Sequence, residues 1–168
     1  MTFTFRPLAL TDLPLLEKWH RLPHVKEWWG DESLEDIITE YTDKLDDSLV
    51  DVYIVEHQSR DIAMLQTYDA FGADEGWWPD EPEGTFGLDC FIGEPDLLEK
   101  GLGSALVREM AETLLKRSDV TRLIIDPDPK NARAIRAYEK AGFVKQRVIE
   151  TPDGPAHYMV WSRPLIAS

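Results

Sequence analysis

The sequence predicts a single-domain α/β (α+β) fold, with a mixed, mostly antiparallel sheet flanked by helices. Two observations carry that expectation. In the second half, Gly87-Leu88-Asp89-Cys90-Phe91-Ile92 is followed by Lys100-Gly101-Leu102-Gly103-Ser104. Asp126-Pro127-Asp128-Pro129-Lys130-Asn131 and Ala134-Ile135-Arg136-Ala137-Tyr138-Glu139-Lys140-Ala141-Gly142-Phe143 come next. This order reads as strand, glycine turn, helix, strand, short helix. Paired apolar segments around short turns, 51–57 with 62–68 and 144–150 with 156–163, read as antiparallel hairpins. Strands and helices therefore do not alternate as in a Rossmann array. The 168 residues suit one domain spanning 1–168 with a sizeable core.

The elements follow in chain order. Residues 3–7 read as a first strand. Thr11 is the expected N-cap of a helix with Asp12 in its first turn and Leu13, Leu16 and Trp19 on one face. Residues 24–30 are short and aromatic. Ser33 is the expected cap of a second helix whose apolar positions are Leu34, Ile37, Ile38, Tyr41 and Leu45, with Asp36 three residues after the cap. A strand over 51–57, a turn over 58–61 and a strand over 62–68 form the first hairpin. Residues 71–84 are a loop rich in Gly, Pro, Trp and acid. Leu102, Ala105, Leu106, Met110, Leu114 and Leu115 recur near helical spacing, which predicts a helix over 102–117. A buried strand over 122–126 precedes a helix capped by Asn131 and ended by Gly142.

Composition narrows the function. A hydrophobic fraction of 43%, with 10% aromatic, argues for a globular chain. No apolar run approaches the roughly 18 residues of a membrane span, and residues 1–6 lack a signal-peptide pattern. Cys90 is the only cysteine, so neither an intrachain disulfide nor a cysteine-based zinc site is expected. These features favour the cytoplasm. A net charge of −14 argues against a nucleic-acid partner. It suits a small cationic ligand, although acidity can also serve solubility alone.

Several residues carry chemistry in this pattern, each with two readings. A glycine turn opening a helix lets backbone N–H groups approach a phosphate-bearing cofactor, but glycine connections are also ordinary. Asp89, set among apolar strand residues, is costly unless it is paired or faces a cleft; the other reading is an outward position on an edge strand. Tyr138 shares helical spacing with Ile135 and Ala141, which by itself suits a core tyrosine. Trp28-Trp29 and Trp77-Trp78 stand in Gly- and acid-rich surroundings. They either form an aromatic wall for sugar rings and cations, together with acids such as Glu75, Asp126 and Asp153, or close the core.

Taken together, residues 85–143 resemble the GCN5-related N-acetyltransferase superfamily, and the likeness extends more weakly over the whole chain. That family usually has Gln or Arg three residues before the first turn glycine; Leu98 stands here. Glu27-Trp28-Trp29-Gly30, Gly76-Trp77-Trp78, Asp126-Pro127-Asp128-Pro129, the Arg133 to Phe143 segment and Thr151-Pro152-Asp153-Gly154-Pro155-Ala156 look like the aminoglycoside 6′-N-acetyltransferases. The resemblance implies acetyl-CoA as co-substrate without a metal, bound where two central parallel strands splay apart, and direct attack by the 6′-amine in a ternary complex. It implies Asp89 as base, directly or through water, and Tyr138 as the acid for the departing thiolate. Main-chain N–H groups near Asp89 to Phe91 would polarise the thioester carbonyl.

By the same resemblance, Cys90, Phe91, Ile92, Lys100, Gly101, Leu102, Gly103, Ser104, Asn131 and Tyr138 would meet the cofactor. Trp28, Glu75, Trp77, Asp89, Asp126 and Asp153 would meet the acceptor. Cys90 is not expected to be a nucleophile, because no His lies near it in sequence; His157 could approach only through the fold. The expected partners are a small cationic amine and no nucleic acid or membrane, with the chain a monomer or homodimer. A siderophore-type hydroxylated amine or another small polyamine is the alternative acceptor. Lysine or N-terminal acetylation of proteins and a catalytically silent binder remain further alternatives.

Overall fold

The computed structural model describes residues 2–71 and 80–162. The chain runs through β1 (Thr4–Pro7), α1 (Leu13–His20), α2 (Pro23–Trp29), α3 (Leu34–Leu45), β2 (Val50–His57), β3 (Arg60–Asp69) and β4 (Thr85–Ile92). It continues through α4 (Leu102–Leu115), β5 (Arg122–Ile125), α5 (Ala132–Ala141), β6 (Val144–Thr151) and β7 (Gly154–Ser162). The strands form one sheet in the order β1-β2-β3-β4-β5-β7-β6. β4 and β5 run parallel, paired from Thr85↔Arg122 to Gly87↔Ile124. The β1–β2, β5–β7 and β6–β7 pairs are antiparallel. The mixed, mostly antiparallel sheet flanked by helices is thus the observed architecture.

The chain falls into two compact units, one of Met1–Thr67 with Asp89–Gly103, the other of Tyr68–Leu88 with Ser104–Ser168. In the first, Leu16, Trp19, Val25, Ile37, Tyr41, Ile54, Met64 and Phe91 make the core. Arg6 ties its start together. The guanidinium donates to both Asp12 carboxylate oxygens (2.8 and 3.0 Å) and to Glu56 (3.1 Å). Asp12 Oδ2 also accepts from the Ala9 N–H (2.9 Å). In the second unit, Ala70, Ile124, Tyr158 and Val160 form a buried cluster. Arg122 donates to the Tyr158 hydroxyl (2.7 Å), which in turn donates to Glu81.

Several local expectations change. Thr11 does not cap α1. A 3-10 turn over Leu10–Asp12 comes first, and α1 starts at Leu13 with Pro14 in its first turn, where proline's missing N–H costs nothing. Residues 24–30, read only as short and aromatic, lie largely within α2, which spans Pro23–Trp29 and ends at Gly30. Ser33 does cap α3, its Oγ accepting from the Asp36 N–H (3.1 Å). The buried stripe of α3 is narrower than the sequence pattern implies. Ile37 and Tyr41 are buried, whereas Leu34, Ile38 and Leu45 stay 39–40% exposed. The β2–β3 turn places Gln58 and Ser59 at φ +53° and +63°, the left-handed pair a two-residue hairpin turn requires, without the usual Asn-Gly. The Asn131 and Gly142 caps of α5 are as expected; Asn131 Oδ1 accepts from the Ala134 N–H (3.2 Å).

Candidate active site

β4 carries the centre of the site. Its end is held from below by the first unit's aromatic core. Trp19 meets Phe91 edge-on (ring centroids 6.0 Å apart), and Phe91 meets His20 and Trp29 (both 5.2 Å). The glycine after the strand is required by this packing, since a Cβ on Gly93 would sit 2.2 Å from the Trp19 ring. The Gly93 N–H donates to Ile62 O (2.8 Å), and His24 Nε2 donates to Ile92 O (2.8 Å). The backbone from Phe91 to Gly93 is therefore held from several directions.

Asp89 projects from this strand. Its carboxylate accepts a hydrogen bond from Gln66 Nε2 at Oδ2 (2.9 Å). The residue keeps part of its surface open, but dense surrounding protein desolvates the carboxylate and raises its pKa. Glu40 on α3 pushes in the same direction, while the Gln66 hydrogen bond and the Lys44 ammonium pull back. Lys44 is itself paired with Glu40 (2.7 Å). Beneath them His20 Nε2 is hydrogen-bonded to the Tyr41 hydroxyl (2.7 Å). Burial lowers the His20 pKa and raises that of Tyr41, so both are neutral at physiological pH. The inward reading of Asp89 is the one the structure supports: a desolvated carboxylate suited to accepting a proton.

The glycine turn lies 12 residues further on, at the start of α4. Gly101 has φ +77°, the left-handed backbone that favours glycine. Apart from the neighbouring backbone, no atom of the described residues lies within 4 Å of where a Cβ would stand on Gly101 or Gly103. Open space over both Cα atoms, with the first N–H groups of a 14-residue helix beside it, fits a pyrophosphate. Leu102 is buried beneath the turn and Lys100 is exposed. Lys100 and Leu102 also border an open groove with Glu56 and His57.

Tyr138 is buried in the second unit with Ile135 and Ala141 on the inner face of α5, its ring centroid 6.5 Å from that of Phe143. Asn131 opens the same helix. Asp126 is half-buried just after β5, in a segment anchored where the His157 N–H donates to Pro127 O (2.7 Å). Asp153 is exposed in the β6–β7 turn, its N–H donating to Thr151 Oγ1 (3.2 Å).

The adjacent tryptophans of α2 part company. Trp29 packs against the first unit's core, while Trp28 is half-buried on the same helix. Helical geometry sends neighbouring side chains about 100° apart, so the two rings face different directions. Glu75, Trp77 and Trp78 lie outside the described residues. Gln66, Glu40 and Lys44 were not anticipated. A polar residue following the apolar run Ile62-Ala63-Met64-Leu65 on β3 was the available signal for Gln66. Among the described residues, no group of three or more His, Cys, Asp or Glu side chains is placed to hold a metal ion. Among them, too, no helix is long and apolar enough to cross a membrane.

The chain has clear relatives among known proteins. Residues 9–151 match the acetyltransferase (GNAT) domain family. The chain is 41% identical over 166 residues to the aminoglycoside N(6′)-acetyltransferase type 1 of Klebsiella pneumoniae, covering 95% of this chain and 83% of that one. It is 49% identical over 88 residues to a kanamycin resistance protein of Rhizobium radiobacter, covering 52% of this chain. A solved structure of AAC(6′)-Ib in complex with parmomycin and acetyl-CoA superposes with a TM-score of 0.92 at 40% identity, covering 97% of this chain and 94% of that one. Parallel β4 and β5, the open glycine turn at α4 and a match over most of the length lead to one conclusion: the chain belongs to the GNAT acetyltransferase family.

Proposed function

We propose that this chain transfers the acetyl group of acetyl-CoA to the 6′-amine of an aminoglycoside. In this reading it works in the cytoplasm as a monomer or homodimer, with residues 1–168 forming one acetyltransferase domain. The observation that carries the reading is the desolvated Asp89 carboxylate on β4, in a chain 41% identical to an aminoglycoside N(6′)-acetyltransferase across 95% of its length. The acidic balance of the chain and the carboxylates on α3 suit a polycationic acceptor.

The amine reaches the site as an ammonium and must lose a proton before it attacks. Asp89 takes that proton, directly or through a water, and its raised pKa makes it a stronger base than an exposed aspartate. Main-chain N–H groups near Asp89 to Phe91, on a strand end held rigidly, polarise the thioester carbonyl. The N–C bond forms as the C–S bond breaks, and Tyr138 gives its phenolic proton to the departing sulfur. Gly101, Leu102, Gly103 and Ser104 offer backbone N–H groups to the pyrophosphate. With Leu98 supplying no side-chain donor, the backbone and Lys100 carry that contact. Cys90, Phe91 and Ile92 line the pantetheine, and the Asn131 amide nitrogen remains a donor for it, since capping uses Oδ1. Trp28, Glu75, Trp77, Asp126 and Asp153 hold the acceptor through aromatic faces and ammonium pairs.

Thiol release from acetyl-CoA, measured with two aminoglycosides that differ only in a 6′-amine or 6′-hydroxyl, tests the reading. Fast release with the amine alone is expected. Release with neither, in a protein that binds acetyl-CoA, would move a polyamine or hydroxylated amine to the front. Tyr138→Phe should slow turnover on the order of 10²-fold when chemistry limits the rate. A variant rate that matches the parent at every pH under those conditions removes Tyr138 from the mechanism.

A further inference from the structure

Gln66 is buried (8% exposed) on β3, beside the strand that bears Asp89. Its amide spends Nε2 on Asp89 Oδ2 at 2.9 Å. The other end of the amide, Oε1, is buried and has no hydrogen-bond partner among the described residues. Such an arrangement is a poor one for stability. A buried acceptor left unmade costs more than a typical hydrogen bond returns, and an apolar residue would fill the same space without that cost. A local sacrifice of this kind, next to a reacting group, points to a role in the reaction.

We propose that Gln66 is a positioning residue for acetyl transfer: it holds the Asp89 carboxylate in one orientation through Oδ2 and leaves Oδ1 as the oxygen that receives the amine's proton. The inference rests on Asp89 being the base. An amide suits this post because it donates without carrying charge. A lysine or arginine in its place would pair with the carboxylate and hold it too acidic to take a proton. The groups facing Asp89 come from two elements, with Gln66 on β3 and Glu40, Tyr41 and Lys44 on α3. Lys44 is paired with Glu40 and acts on Asp89 by through-space attraction. Gln66 is thus the donor that steadies the ionised base while desolvation keeps it basic.

The test uses Gln66→Leu and Gln66→Glu in the full chain, read by pH–rate profiles with a 6′-amino aminoglycoside. A parallel readout is ¹³C NMR titration of the Asp89 carboxyl, which does not depend on turnover. Loss of the Gln66 donor removes a group that favours ionised Asp89, so the acidic limb and the NMR titration should both move to higher pH in Gln66→Leu. Turnover at neutral pH should fall roughly tenfold, the worth of one hydrogen bond to a charged group. Gln66→Glu should move the limb further in the same direction, because two adjacent carboxyls cannot both ionise. The Michaelis constant for acetyl-CoA should be unchanged in both. Should Gln66→Leu retain the parent's limb and titration while Asp89→Asn is inactive, the positioning role is wrong and the base assignment stands. Full activity in Asp89→Asn overturns both. If Gln66→Leu unfolds, Gln66→Glu decides by the same two readouts.

Discussion

Asp89→Asn is expected to lower turnover by roughly 10²–10⁴-fold, the usual worth of a positioned proton acceptor, while acetyl-CoA affinity stays near that of the parent. The substitution keeps the shape of the side chain and leaves an oxygen for the Gln66 amide, so the loss reports chemistry and not architecture. Stability offers a second check. Asp89's pKa is raised on folding, chiefly by desolvation. The folded state therefore binds the proton more tightly than the unfolded chain does. Its favourable contribution is fully present below the unfolded-state pKa and is lost as pH rises through the raised folded value. At neutral pH the ionised group works against the fold, and asparagine removes that penalty. Asp89→Asn should match or exceed the parent's thermal stability at pH 7. The parent's pH–rate profile should show an acidic limb above the ordinary carboxylate range. Near-normal turnover in the variant, measured where chemistry limits the rate, would remove Asp89 from the base role.

Trp19→Ala is the largest expected change in stability. The indole is fully buried, stacked edge-on against Phe91 and pressed against the Gly93 backbone. Removing it leaves a cavity beneath the end of β4 and should cost about 3–5 kcal/mol. For a chain of this size that is a fall of roughly 10 °C in Tm. Gly93→Ala should destabilise the parent by about 1–3 kcal/mol, because the new methyl meets the rigid base of the ring at 2.2 Å. In the Trp19→Ala background the same substitution should cost little, since the obstructing atoms are gone. Thermal or denaturant unfolding of the two single variants and the double variant measures this coupling. Additive costs would show that the strand end is not supported by the ring.

The parts of the site that repeat a local rule were legible in the sequence. Gly101 and Gly103 stood before a periodic helix, and the structure has an open turn there with a left-handed Gly101. Ser33 and Asn131 were readable as caps because capping involves residues only three apart. The Thr11 cap failed because Asp12, chosen by Arg6 and Ala9, holds the entry to α1 instead. That contact joins Asp12 to a strand residue whose partner on β2, Glu56, lies 50 positions away from Arg6 in the chain. The width of the apolar stripe on α3 was overread, since periodicity marks a face but not how much of it a neighbour covers.

Strand order, the parallel β4–β5 pair and the surroundings of Asp89 needed the fold itself. The sequence places Asp89 in an apolar strand and goes no further, leaving an inward, partnered carboxylate and an outward edge residue both open. What separates them is packing from remote segments: Gln66 from β3, and Glu40 and Lys44 from α3. The same holds for the tryptophans, where adjacency in the chain suggested one wall and helical rotation turned Trp29 against the edge of the core. Local chemistry therefore set which residues could act, through glycine turns, caps and alternating strands. The proton affinity of the candidate base was settled only when segments distant in sequence excluded water around it, because desolvation is a property of a filled volume and not of any one stretch of chain.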